Sequence, residues 1–273
     1  PMVVTGMKGL AMFELCVTTT RADLHSGLQG GLTHNPIDAL ARIIASFHDL
    51  DGRIAVEGFH DDVVELTSAE REKIAEVPYD AEAELDALGA PAFFGEPGYT
   101  NRERNWARPT LDCNGIEGGF QGEGFKTVIP ASARAKISCR LVANQEPRRI
   151  GELMQDHVAR HTPPGTRVEL TVLGGGSPPC LFPASHPVNA IITDVLSQLY
   201  RAEPYHVRVG GSVPALAYFY ESLGACSFNF GWACPDEKLH APNEFFRLRN
   251  FRLGQTAYGM LLDRLEEWDG NDT

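Results

Sequence analysis

The stretch TLDCNGIEGGFQGEGFKTVIPASARAKISCRLVA, residues 110–143, holds two β-rich runs, 110–122 and 133–143, joined by the glycine- and proline-containing EGFKTVIPAS. Alternating apolar and polar residues in ARAKISCRLVA predict a strand with one buried face. Upstream, LAMFELCVTT (10–19) predicts another strand, followed by the turn RADLHSGLQGG. A helix is predicted from Pro36, with Asn35 as N-cap and Ile37, Leu40, Ile43, Ile44 and Phe47 on one face. Downstream, a helix is predicted from Pro147 to about His161 and a strand at RVELTVL (167–173).

The order is β-α-β-β-α-β, interrupted by an acidic insertion at 58–108 with helical runs near 67–75 and 80–88. That order predicts the split βαβ of a ferredoxin-like α+β sandwich. The unit spans 10–173, and reaches 178 when the start of the following joint, GGGSPPCLFPASHP (174–187), is included. Beyond the joint the pattern alternates: helix 188–201, strand YHVRV, helix 213–222, strand CSFNF (226–230), and a long amphipathic helix from Leu248 to Trp268. Two short strands cannot build a doubly wound sheet. Residues 179–273, together with 1–9, are therefore expected to be part of an α/β domain whose other strands lie elsewhere.

The 273 residues carry 43% hydrophobic side chains, enough for a sizeable core, and a net charge of −12. Nucleic acid is excluded as a partner, because neutralising phosphates takes a clustered basic surface that the sequence lacks. No apolar run approaches the roughly 20 residues that cross a bilayer, and the first residues lack a signal-peptide pattern, so a cytoplasmic protein is expected. The six cysteines, at 16, 113, 139, 180, 226 and 234, show no C-x-x-C spacing. They are read as reduced and buried.

Four motifs bear on chemistry. GGFQGEGFKT (118–127) approaches a phosphate-binding loop, but Phe125 breaks the spacing and Val128-Ile129-Pro130 favours extended chain over a helix start. RVGGSVPA (208–215) places two glycines and Ser212 before a helix. It reads equally as a seat for a carboxylate on free backbone N–H groups or as simple capping. As a nucleophile Ser212 lacks the G-x-S-x-G elbow. His25 lies in a loop between strand and helix. His240 follows a strand and a polar turn, where Asp236 or Glu244 could fix its tautomer. One imidazole makes no zinc site, which takes at least three protein ligands, and no H-x-D, H-E-x-x-H or Glu-Glu pair at a strand end supplies the others.

Taken in register, DLHSGLQGG, GFKTVIPASARAKISCRLV, RVGGSVPA and LHAPNEFF resemble the dinuclear zinc peptidase family of carnosinase, cytosolic non-specific dipeptidase, acetylornithine deacetylase and succinyl-diaminopimelate desuccinylase. The resemblance covers that family's lid, which makes the homodimer, and the last part of its α/β catalytic domain. It implies metal-assisted amide hydrolysis of small peptides or N-acyl amino acids, with two zinc ions in the complete enzyme. His240 would be the single metal ligand present here, the remaining ligands and the general base lying upstream. His25 would reach across the dimer to stabilise the oxyanion. Arg140 would pair with the substrate carboxylate, with Thr127, Gly211 and Ser212 lining the pocket, and the joint at 174–187 would let the lid close. The sequence departs from the animal dipeptidases at Gly175, where they carry histidine, and at Val209, where they carry glutamate. The resemblance also implies that the chain by itself is inactive. The rival readings are a non-catalytic dimerisation and ligand-docking fragment and a serine hydrolase using Ser212.

Overall fold

The computed structural model describes residues 1–182, 186–225 and 227–268. In chain order the elements are β1 (Met2–Met7), β2 (Gly9–Thr18), β3 (Leu24–His25), α1 (Ser26–Gln29), α2 (Pro36–Ala45), α3 (Ser68–Glu76), α4 (Ala81–Leu88), α5 (Asn101–Ala107), β4 (Thr110–Gly118), β5 (Val128–Ile129), β6 (Ser132–Leu141), α6 (Pro147–His161), β7 (Arg167–Ser177), β8 (Cys180–Leu181), α7 (Pro187–Tyr200), β9 (Tyr205–Val209), α8 (Pro214–Leu223) and α9 (Leu248–Glu266).

β2, β4, β6 and β7 form one antiparallel sheet in the order β4-β6-β2-β7. With α2 and α6 on one face, this is the ferredoxin-like α+β sandwich that the element order predicts. Along β2 every second residue is buried, with Phe13, Leu15 and Val17 inaccessible to solvent. Successive side chains of a strand point to opposite faces, so Leu10, Met12, Glu14 and Cys16 share the other face. The core closes on Leu40, Ile43 and Phe47 of the α2 region and on Ile150 and Met154 of α6. Truncating a side chain such as Phe13 to alanine here costs about 3–5 kcal/mol. Asn35 starts α2 as expected, its Oδ1 accepting from the Ile37 N–H at 3.0 Å.

Residues 58–108 are organised by charged and polar contacts. Arg108 is buried, gripped bidentately by Glu96 at 2.8 and 2.9 Å, with Glu65 at 2.9 Å and the Tyr99 ring beneath it. Thr67 with Glu70, and Thr100 with Glu103, form capping boxes that start α3 and α5. Both helices pack on β9, where Arg208 pairs with Glu70 at 2.5 Å.

The second sheet has the order β8-β1-β9, with β1 and β9 parallel. Its core is small: Val3, Ile192, Leu196 and Leu261, with Phe228, Phe230 and Trp232 against it. α8 buries only Ala217 and leaves Tyr218, Phe219, Tyr220 and Leu223 exposed.

Three expectations are corrected. The strand at 226–230 is absent from 227–230, while Cys226 lies outside the described residues. Among the described residues no strand pairs with 227–230, and the Phe230 and Trp232 carbonyls accept instead from the Tyr258 hydroxyl and the Asn250 amide of α9. The joint begins later than its composition suggests. Gly174–Ser177 continue β7, Ser177 pairing with Leu10 across a bulge, and a Cβ on Gly176 would lie 2.7 Å from the Leu10 carbonyl oxygen. Residues 183–185 of the joint lie outside the described residues. The cysteines are not uniformly buried: Cys139 is, but Cys113 is exposed, and Cys16, Cys113, Cys139 and Cys234 carry free thiols.

Candidate functional site

The register of β2 sorts the candidate residues by place. Arg140 lies opposite Leu10 at one end of the strand, and Ser132 lies opposite Thr18 at the other. Eight residues at about 3.3 Å each separate these ends by about 26 Å.

At the first end, the Arg140 guanidinium donates to the Ser212 hydroxyl at 2.9 Å, and that hydroxyl donates to the Gly9 carbonyl at 3.1 Å. This overturns the capping alternative for Ser212. The N-cap of α8 is Val213, without a side-chain cap bond, and the serine is committed to the four-stranded sheet instead. Beside it, Pro214 opens α8 without an N–H, and the Leu216 N–H donates to the Val213 carbonyl at 3.1 Å. Neither partner of Ser212 is a base that could activate a nucleophile. Lys8, in the link between β1 and β2, donates its backbone N–H to the Gly211 carbonyl at 3.1 Å and the Val209 carbonyl at 3.3 Å. Its buried ammonium donates to the Arg104 carbonyl in α5 at 3.2 Å. Sequence reasoning missed Lys8, because one lysine beside a glycine gives no periodic or motif signal.

At the other end, β3 pairs with β5, setting His25 opposite Val128. His25 Nδ1 accepts from the Gly27 N–H at 3.0 Å and caps the short α1. That bond fixes the ring and leaves Nε2 on an exposed edge. Thr127 lies alongside, its carbonyl accepting from the Ser26 N–H and hydroxyl, both at 3.0 Å. Leu28, Leu32 and Phe125 are exposed around them. The glycine-rich 118–127 segment runs into β5 and opens no helix, as its Val128-Ile129-Pro130 ending predicts.

His240 forms a third place. The loop holds Lys238, His240 and Asn243 in the left-handed region, with φ of 56°, 61° and 63°. Such non-glycine residues store strain that a function can use. The expected tautomer partners are otherwise engaged. Asp236 forms a salt bridge with Arg247, and Glu244 accepts from the His240 backbone N–H at 3.2 Å rather than from its ring. Glu237 is buried beneath the loop, its carboxyl held below the usual range by the N–H of Cys234 and by Arg247. Among the described residues no cluster of three histidine, cysteine or carboxylate side chains could hold a metal ion. The residues present therefore do not fit a zinc centre by themselves.

The structure thus brings together Arg140, Gly211 and Ser212, sets His25 beside Thr127 about one strand length away, and leaves His240 in neither group.

The chain as a whole is similar to known proteins. The Cys-Gly metallodipeptidase dug1 of Schizosaccharomyces pombe is 32% identical over 258 residues, covering 93% of this chain and 54% of that enzyme. The solved structure of the di-peptidase Dug1p from Saccharomyces cerevisiae superposes with a TM-score of 0.86 at 24% identity, covering 98% of this chain and 57% of that one. The M20 family metallo-carboxypeptidase Sso-CP2 from Sulfolobus solfataricus gives 0.82 at 31% identity, covering 96% and 59%. The chain spans about half the length of the relatives it matches. The profile described as "Peptidase dimerisation domain" matches residues 5–166, more than half of the chain, which belongs to the M20 peptidase dimerisation-domain family.

Proposed function

We propose that this chain is the lid, residues 10–178, and the C-terminal catalytic portion, residues 179–273, of a metal-dependent dipeptidase-type hydrolase that works as a homodimer, with residues 1–9 ending the first catalytic segment. The observation that carries the reading is the placement of Arg140 against Ser212 at one end of β2 and of His25 at the other. A histidine beyond the far end of β2, a strand about 26 Å long, serves the pocket of a partner chain. Arg140 grips a substrate carboxylate with a planar fork of donors, while Gly211 and Ser212 shape the floor beneath it. The free Nε2 edge of the partner's His25, with Thr127 beside it, donates to the carbonyl oxygen as negative charge develops there. His240 is the one residue here assigned to metal, zinc by family resemblance. Its other ligands come from outside the chain, so no catalytic step is derived through the metal. Among the described residues no helix is long and apolar enough to cross a membrane. A cytoplasmic location is part of the proposal.

The absence of a metal cluster among the described residues favours one further reading, that the chain as it stands docks ligand and dimerises without turnover. Both readings are tested together. The 273-residue chain, dialysed against zinc, is expected to bind much less than one ion and to leave Cys-Gly uncleaved. In the complete protein, mixing inactive His25→Ala and Arg140→Ala homodimers is expected to restore part of the activity, because one site of each mixed dimer is intact. Chelator-sensitive turnover by the chain alone would overturn the docking reading. Mixed dimers that exchange subunits and stay inactive would overturn the cross-dimer role of His25.

A further inference from the structure

Lys8 is 4% exposed, yet no carboxylate lies within ion-pair distance of its ammonium among the described residues. The charged groups that face it are Arg140 of β6, a second cation, and Asp112 of β4, an acid too distant for a salt bridge. From α5 it meets only the Arg104 carbonyl, the Arg104 guanidinium being turned to the Glu96 carbonyl and Asn101. A buried ammonium is costly without a counter-charge, and beside a guanidinium the cost rises. One anion placed between the two cations removes both penalties. The same residue also builds the pocket wall. Its N–H holds the Val209 and Gly211 carbonyls, and its side chain holds the end of α5, which packs so closely that a Cβ on Gly210 would lie 3.1 Å from the Asn105 carbonyl oxygen.

We propose that Lys8 is a positioning and specificity-determining residue of the Arg140–Ser212 pocket, fixing the Val209–Ser212 turn against α5 and supplying a second positive charge that selects the terminal carboxylate of a substrate. The proposal rests on the reading of that pocket as a carboxylate site. Burial first, then Arg140, and against them Asp112, bring the Lys8 ammonium down to about 8. A bound carboxylate pulls it back up, so substrate affinity in the unmodified enzyme falls as pH rises through that value.

The test uses the complete enzyme and a dipeptide with a free C-terminus, comparing Lys8→Met, Lys8→Arg and Arg140→Ala with the unmodified protein. Lys8→Met is expected to raise KM about tenfold or more with kcat within about twofold, the signature of lost uniform binding. Lys8→Arg is expected to keep KM low and to abolish its rise above about pH 8. An unchanged KM in Lys8→Met, or the same alkaline rise in Lys8→Arg, overturns the proposal. Should Lys8→Met fail to fold, the pH profile of Lys8→Arg decides alone. An Arg140→Ala enzyme with unaltered KM would instead remove the carboxylate-pocket reading itself, whatever Lys8 does.

Discussion

Arg140 on β6 donates to Ser212, 72 residues later in the chain, at 2.9 Å, and so joins the four-stranded sheet to the turn that follows β9. A guanidinium presents five N–H donors in one plane, of which the serine takes one. Arg140→Ala in the complete enzyme is therefore expected to raise KM by roughly two orders of magnitude for peptides with a free carboxylate, in the range measured when one partner of a desolvated charge pair is removed. Arg140→Lys is expected to recover only part of this, because an ammonium cannot make the bidentate contact. Steady-state kinetics on both variants, with circular dichroism to verify folding, checks the prediction.

His25 is fixed by its Nδ1 bond to the Gly27 N–H. His25→Ala is expected to leave the metal content of the complete enzyme unchanged while lowering kcat about 10²–10³-fold, the scale of one lost oxyanion donor. Elemental analysis beside turnover checks it. Metal lost in proportion to activity would assign His25 to the metal centre instead.

How much of the fold and site is legible in the sequence depends on whether a residue's neighbours are local. The alternation in β2 and β6 reports burial on one face directly, so the sandwich, the Asn35 cap and the start of α6 follow from local patterning alone. The segment 227–230 has the composition of a strand, but a strand is completed by its neighbour, which composition does not reveal. Gly174–Ser177 read as a hinge because glycines are abundant there. Of the three, Gly176 passes close along Leu10, and Gly175 takes a positive φ of 87°. Motif resemblance picks out the site residues, and only the register of β2 groups them. Lys8 is invisible in the sequence because its meaning lies in Arg104, Arg140 and Gly211, all distant along the chain.

The lid should be sensitive to acid through His157. Its ring is buried against Phe47 and His161 and shares a 2.9 Å hydrogen bond with the Ser46 hydroxyl. Burial first, then His161 and Arg160, push its pKa from 6.5 to about 4. A folded-state value below the unfolded one means that the unfolded chain takes up the proton first as pH falls. The stability from neutral His157 is thus complete above about pH 6.5 and is lost as pH drops toward 4, up to roughly 3 kcal/mol. Urea melts of the unmodified chain and of His157→Phe, run near neutrality and again close to the folded-state pKa, are expected to show the variant as the more acid-resistant. Parallel losses in both would place the acid sensitivity elsewhere.

The insertion at 58–108 is held by charge more than by apolar contact, and Arg108 is the residue on which this turns. Arg108 is 3% exposed at its side chain and Glu96 13%, whereas Glu65 on the other nitrogen is 63% exposed. Losing Glu65 therefore returns a solvated group to water, and Glu65→Gln is expected to cost no more than about 1 kcal/mol. Arg108→Met is different, since it leaves the Glu96 carboxylate, in a poorly solvated site, with only the more exposed Arg53 at 3.6 Å as an ion-pair partner among the described residues, and removes one of the cations stacked on Tyr99. It should destabilise the fold by about 3–5 kcal/mol. The double variant Arg108→Met, Glu96→Gln should recover much of that loss, because the poorly compensated charge and not the missing attraction is the main penalty. Chemical denaturation of these variants beside the unmodified protein and Glu96→Gln closes the cycle. Equal costs for Arg108→Met with and without Glu96→Gln would mean that packing on Tyr99, and not the buried pair, holds the insertion in place.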